Sequence, residues 1–117
     1  MKINHTVATI LPVSILPLAP PSKLDILGKK FKVLQMPTDN TEDHDGLMEL
    51  SKQEIWYRSQ EALSYNQDTV LHETVHAIDE VLQLGLKEKQ VHQLAAALLA
   101  VIKHNPKFIN WLLTEAD

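Results

Sequence analysis

The chain has 117 residues, an apolar fraction of 44% and a net charge of −4. This composition predicts one folded domain with one modest core. It gives no support for nucleic-acid binding, which needs a basic footprint. Because there is no cysteine, disulfides and thiolate metal sites are excluded, and a cytoplasmic location is expected. No uninterrupted apolar run of about 20 residues is present, so we expect no transmembrane helix.

The first 22 residues differ in character from the rest and predict an arm ahead of a domain that spans residues 23–117. The stretch from residue 7 to residue 18 is apolar and follows Lys2, a pattern that resembles a weak signal-peptide core. Prolines interrupt any helix in this region. They occupy positions 12, 17, 20 and 21. We therefore expect an extended arm that lies on the domain or on a partner.

Strand character is concentrated in the first half of the domain, where apolar and polar side chains alternate. The predicted strands span residues 29–36, 46–50 and 54–58. The last two are joined by a short loop whose length suits a hairpin. A shorter strand or turn, closed by Gly28, is expected at residues 24–27. The sequence therefore predicts a small antiparallel sheet of about three strands.

Helical periodicity dominates the second half of the chain. The first helix is expected over residues 68–84, with Asn66 as its N-cap and Gly85 as its stop. A second long helix is expected over residues 87–103, and a short one over residues 108–113. The predicted buried residues of the three helices are Leu71, Val75, Ile78, Leu82, Val91, Leu94, Ala95, Leu98, Val101, Ile102, Phe108, Ile109, Trp111 and Leu112. The expected fold is α+β, with the sheet packed on the two long helices.

The first long helix carries an H-E-x-x-H pattern that begins at His72 and ends at His76. Histidines four residues apart project from one helix face, so both rings can reach one metal ion. Zn²⁺ favours such nitrogen ligands. Glu73 lies about 100° around the helix from His72, which places its carboxylate beside the ion. There it can act as a general base and take a proton from a water molecule.

A catalytic zinc site also needs a third protein ligand, for which the residues leave several candidates open. If the two long helices pack as an antiparallel pair, Glu88 returns toward the histidines, and His92 shares its face at i, i+4. Asp79 lies within about 60° of both histidines around the helix axis and could bind the metal or orient an imidazole. His44, in the polar stretch of residues 38–45, is expected to be a solvated loop histidine.

The order of strand, hairpin, H-E-x-x-H helix and second helix resembles the ImmA/IrrE-like metallopeptidases, small gluzincins of bacteria and their mobile elements. The second helix of that family carries a pattern close to E-x-x-A-N-x-F-A-A-x-L-L. On this pattern Glu88 falls at the third zinc ligand. Direct matches follow at Ala95, Ala96, Leu98 and Leu99. The resemblance covers about residues 24–113 and implies a minimal zincin-like domain.

The chain departs from the family in several places. Val91 and His92 replace the usual Ala and Asn or Asp, and Ala100 with Val101 replaces the usual Met-Pro. The chain is also very short, with no added substrate domain. Substrate recognition is therefore the part of the resemblance that transfers least.

The resemblance implies a zinc-dependent peptidase of a bacterium or phage-infected cell, with Zn²⁺ held by His72, His76 and Glu88 and with Glu73 as general base. The expected substrate is a protein or peptide, and the family points to a repressor or regulatory protein. A donor for the tetrahedral oxyanion is also needed. The candidates are Tyr57, Tyr65, His92 and His104. Nothing in the sequence specifies the oligomeric state.

Two other interpretations stay open at this point. One is a non-catalytic regulatory or binding protein of a phage or mobile element that keeps a zincin fold and a structural or vestigial metal site. The intact Glu73 argues against it, because a structural site needs no base there. The other is a metal-free helical interaction module, in which the two histidines are a coincidence of a solvated helix face.

Overall fold

The computed structural model describes residues 17–37 and 44–116. In chain order, its elements are β1 (Lys23–Ile26), β2 (Lys29–Gln35), β3 (Gly46–Glu49), β4 (Glu54–Tyr57), α1 (Leu63–Leu82), α2 (Glu88–His104) and α3 (Pro106–Leu112). The predicted α+β class is therefore confirmed. Residues 1–16 of the predicted arm lie outside the described residues.

The four strands form one mixed sheet in the order β1-β2-β4-β3. The predicted hairpin is confirmed, since β3 and β4 pair antiparallel, but β2 and β4 pair parallel. The prediction of about three antiparallel strands is therefore wrong in both number and direction. Alternation shows which side chains face the core, but it does not fix strand order. β3 follows β2 in the chain but lies at the edge of the sheet, beyond β4. β4 lies between them, antiparallel to β3 and parallel to β2.

α1 lies between the sheet and α2, and a hydrophobic cluster fills each interface. On the sheet side, Ala77 packs with Phe31 and Ile55, which are fully buried. On the other side, Val75 packs with Val91 and Ala95 of α2. Because α1 is held from both sides, the segment that carries the H-E-x-x-H pattern has a fixed position in the middle of the fold.

Both predicted ends of the first long helix are wrong. α1 begins at Leu63, with Ala62 and not Asn66 at the N-cap position. The Asn66 side chain accepts from the Gln60 N–H and donates to the Gln60 carbonyl, at 2.8 and 3.0 Å. α1 ends at Leu82, because Gln83 adopts the left-handed conformation, with φ 54°. Gly85 lies in the following turn and is not the residue at which the helix stops.

α2 and α3 bury much less apolar surface than their sequences predict. On α2 only Val91 and Ala95 are buried. α3 packs on α2 and buries none of its residues, so the prediction that it packs back on the core is wrong. Periodicity shows that a helix has an apolar face, but it does not show whether another element covers that face.

Candidate metal centre

Two histidines of α1 face one carboxylate of α2. His72 and His76 lie one helical turn apart, with ring centroids separated by 4.9 Å. The Glu88 carboxylate lies opposite both, 2.7 Å from His72 Nε2 through Oε1 and 2.8 Å from His76 Nε2 through Oε2. The three ligand atoms all lie within 4.8 Å of one another, an arrangement that could hold a metal ion. The structure thus brings together the three residues predicted as ligands.

Asp79 stabilises the turn between α1 and α2 and so helps to position Glu88. Its backbone carbonyl accepts the N–H groups of Gln83 and of Leu84, the latter at 3.0 Å. Its buried carboxylate accepts the N–H of Leu86 at 3.0 Å, two residues before Glu88. Asp79 therefore lies outside the ligand group and supports it through the turn, a role that helix angles alone did not distinguish from metal binding.

The donor set fits a zinc ion. Two imidazole nitrogens and one carboxylate match the three-ligand sets of catalytic zinc sites. The Glu88 side chain is 68% exposed and could adjust its position to admit an ion, whereas those of His72 and His76 are 16% and 26% exposed.

Glu73 lies beside the three ligand residues but is not one of them. Its side chain is buried, and the loss of solvation raises the pKa of its carboxyl group above the usual value. His76 and His72 lower that pKa, whereas Glu88 raises it further. A carboxylate with a raised pKa next to two possible zinc ligands has the properties of a general base that later returns its proton.

Gly46, the first residue of β3, gives Glu73 the space that it occupies. A Cβ atom at position 46 would lie 2.8 Å from Glu73 Oε2 and 2.8 Å from Thr69 Cγ2. Glycine is therefore needed at position 46, because it lets the β3 backbone lie close to α1 next to Glu73. This contact could not be predicted from the sequence, because it joins residues far apart in the chain.

The ligand group opens into a cavity on each side. One, of about 390 Å³, lies between α1, α2 and the start of β3. It is lined by His44, Asp45, Gly46, Tyr65, Asp68, Thr69, His72, Glu73, Glu88 and His92. The second, of about 360 Å³, extends along β3 and shares part of this lining. Its residues are His44, Gly46, Leu47, Met48, His72, Glu73, His76, Glu80 and Glu88. A molecule that follows β3 would therefore pass the ligand group.

Two of the four candidate oxyanion donors line the first cavity. The Tyr65 hydroxyl donates to the Asp45 carboxylate, and this hydrogen bond raises the pKa of Tyr65. The His92 ring lies 6.0 Å from that of His72, centroid to centroid. The other two candidates are elsewhere, since Tyr57 is in the sheet and His104 ends α2. His44 is exposed, as predicted, but it also lines both cavities, which the sequence did not indicate.

Comparison with known proteins adds no relative, since no family model, no curated protein and no solved structure matches this chain. The resemblance to ImmA/IrrE-like metallopeptidases therefore stays a prediction. Among the described residues, no helix combines the length and the apolar character needed to cross a membrane.

Proposed function

We propose that this protein is a zinc-dependent peptidase, with His72, His76 and Glu88 as the metal ligands and Glu73 as the general base. The observation that carries the proposal is the convergence of two imidazoles and one carboxylate beside a second, buried carboxyl group, that of Glu73. Each of these four groups has a separate task in zinc hydrolysis, and a structural site would have no use for Glu73.

The bound ion would supply a Lewis acid that polarises the scissile carbonyl and acidifies a water molecule. Glu73 accepts a proton from the attacking water and delivers it to the leaving amine nitrogen as the C–N bond breaks. The burial that raises the pKa of Glu73 favours its protonated form relative to an exposed glutamate, which makes the first transfer, from water to Glu73, easier. His92 and Tyr65 line the same cavity and are the proposed donors to the oxyanion.

β3 is the proposed site of substrate binding. It lies at one edge of the sheet and pairs only with β4 within the described residues, so its outer edge can accept an extended peptide by strand addition. Gly46 holds this edge against Glu73, and the two cavities flank it. The proposed substrate is therefore a peptide segment in an extended conformation.

Two finer proposals depend on the resemblance. One is a zincin-like arrangement of the sheet and helices in a cytoplasmic protein of a bacterium or phage-infected cell. The other is a substrate that is itself a repressor or regulatory protein. The four-stranded mixed sheet, with the H-E-x-x-H helix packed against it, supports the zincin-like arrangement, whereas the location rests on the resemblance alone.

The proposal is tested with the zinc-loaded protein and a quenched-fluorescent peptide library as the probe. Glu73→Gln should lower the cleavage rate by about 10²–10⁴-fold, the usual contribution of a general base. Zinc content should stay near one ion per chain, because Glu73 is not a ligand. Glu61→Gln, which changes an exposed acid that lines neither cavity, is the control and should keep the wild-type rate. Equal cleavage by wild type and Glu73→Gln, or none by either, would reject the proposal of a peptidase with Glu73 as its general base.

A non-catalytic binding protein is the second candidate function. The observation that favours it is the exposed apolar surface of α2 and α3, which includes Trp111 at 69% exposure. Large exposed apolar patches commonly mark interaction sites. This candidate predicts stoichiometric zinc, no peptide cleavage by wild type, and unchanged stability of any protein complex in Glu73→Gln.

A further inference from the structure

One face of the sheet packs against α1, whereas no helix of the described residues contacts the other face. The core side chains of Ile26, Phe31 and Ile55 belong to the first face. In the described part of the chain, neither α2 nor α3 contacts a strand. Successive side chains of a strand point to opposite faces, so the register shows which residues share the second face. The residues of this open face that matter here are Lys23, Lys32, Leu34, Leu47, Glu49, Glu54 and Trp56.

Four charged residues form one row across the open face, and the two signs occupy separate halves of it. Lys23 lies opposite Lys32, Lys32 lies beside Glu54, and Glu54 lies opposite Glu49. From β1 to β3 the row therefore reads Lys, Lys, Glu, Glu. Like charges directly opposite each other destabilise a sheet, and the row contains two such pairs. Among the described residues, no ion pair joins a lysine of the row to a glutamate of the row, and Glu49 pairs with the exposed Lys52.

An apolar row lies next to the charged one on the same face. Leu34 of β2, Trp56 of β4 and Leu47 of β3 are neighbours in the register, and all three are half-buried. A cavity of about 230 Å³ lies beside this row and is lined in part by Trp56, Leu47, Met36 and Pro37. The uncovered face of a sheet is usually polar, so three adjacent apolar side chains with a cavity beside them are typical of a binding surface.

We propose that a second copy of this chain binds the open face, with the two sheets face to face about a two-fold axis parallel to the strands. Such an axis places β1 over β3 of the second copy and β2 over β4. Lys23 then faces Glu49 and Lys32 faces Glu54, and each pair occurs twice. The like charges that repel each other within one chain thus meet opposite charges of the other. A second copy is the favoured occupant, because the open face carries the complement of its own charge pattern.

The same axis brings the two apolar rows together. Leu34 faces Trp56 of the second copy, beside the cavity, and the facing side chains fill the spacing of about 10 Å between packed sheets. A two-fold axis at right angles to the strands would instead place β1 over β1 and bring lysines over lysines. Charge therefore selects one orientation. The outer edge of β3 stays free in this dimer, and the proposal does not depend on the proposed peptidase activity.

Sedimentation velocity of the full-length protein tests the proposal with two charge reversals, Lys32→Glu and Glu54→Lys, studied alone and then mixed. Each variant alone would place two like-charge pairs across the interface. A heterodimer of the two variants would regain both opposite-charge pairs, and a change within one chain cannot explain such recovery. Lys29→Glu is the matched control, because it makes the same change of charge at an exposed residue of β2 outside the open face. Circular dichroism establishes that each variant is folded.

Wild type should be mainly dimeric at about 100 μM, since the weakest specific interfaces have micromolar dissociation constants. Each reversal alone should raise the dissociation constant of the dimer at least about tenfold, because facing like charges oppose association. An equal mixture of the two should regain the wild-type fraction of dimer, and Lys29→Glu should dimerise like wild type. A monomeric wild type would overturn the proposal and leave the open face to another occupant. A dimer that neither reversal weakens, or variants that stay monomeric when mixed, would overturn it as well.

Discussion

The two ends of α2 have different surroundings: polar side chains meet at its start, whereas apolar side chains are exposed at its end. At its start, Glu88 meets two histidines next to the buried carboxylates of Glu73 and Asp79. At its end, and in α3 beyond it, apolar side chains as large as Trp111 are exposed to solvent. A buried acid and an exposed apolar patch both depart from the usual distribution, and such departures are where function is found.

The difference follows from what each end packs against. The first turns of α2 contact α1, which is itself fixed by the sheet, so the ligand groups are held in a defined geometry. The last turns contact α3, which is short and buries none of its residues. One end thus holds the candidate ligand groups in place, and the other leaves apolar side chains exposed to solvent.

The largest effect is expected on zinc affinity, from substitution of Glu88, the proposed ligand on α2. Glu88→Ala should lower zinc affinity by at least about a thousandfold, since loss of a ligand should exceed the roughly 10–100-fold cost of losing a residue that only orients one. His92→Ala, one turn further along the same helix and in the same cavity, should change zinc affinity little. Competition with a chromophoric chelator measures both. Similar zinc affinities for the two variants would mean that Glu88 is not a metal ligand.

The next effect is expected at the turn that precedes α2. Asp79→Ala removes the acceptor of the Leu86 N–H and should lower zinc affinity by about 10–100-fold, as for other residues that position metal ligands. Asp79→Asn keeps a carbonyl oxygen at that position and should retain most of the affinity. If both variants bind zinc as tightly as wild type, the turn does not position Glu88.

A matched pair of valines compares the two ends directly. Val91 is fully buried at the start of α2, whereas Val101 is 45% exposed near its end. Val91→Ala should reduce the free energy of unfolding by about 2 kcal/mol, and Val101→Ala by less than half of that. Urea unfolding of the metal-free variants measures both values. Equal losses would mean that the end of α2 is as well packed as its start.

The smallest effect is a dependence of stability on pH that originates at Glu73. Because burial raises its pKa in the folded state, the folded protein binds more protons than the unfolded chain as pH rises through that range. Stability therefore falls with rising pH, and the full loss is present above the raised pKa. In chelator at neutral pH, Glu73→Gln should melt a few degrees above wild type.

This advantage should disappear below the usual glutamate pKa of about 4.3, where wild-type Glu73 is protonated in both states. Melting curves from acid to neutral pH check the prediction, with Glu61→Gln, at an exposed position, as a control for the substitution itself. A Glu73→Gln variant that is less stable than wild type at neutral pH would mean that the buried carboxylate is stabilised as an anion.

Much of the site could be predicted from local spacing. The i, i+4 rule placed His72 and His76 on one face of a helix and Glu73 beside them. Glu88 was one of three open candidates on spacing, and only the family resemblance selected it. The distance between His72 and Glu88 depends on how the turn after α1 is built, and the hydrogen bonds of Asp79 that build it could not be derived from helix angles.

The parts that could not be predicted depend on long-range packing. Alternation identified the strands but not the parallel pairing of β2 with β4, because strand order is decided by the path of the connections. The need for glycine at position 46 could not be predicted, because it comes from the proximity of Glu73 in the folded protein. The exposed face of α2 looked like a core stripe, because periodicity is the same whether or not a partner covers the helix.

The most direct test of the central claim is the metal content of the untagged protein, measured by plasma mass spectrometry with His76→Ala beside it. If His72, His76 and Glu88 form a metal site, wild type should contain about one zinc ion per chain and the variant almost none. Absence of metal from wild type even after incubation with zinc, or equal metal in both proteins, would contradict the assignment of these three residues.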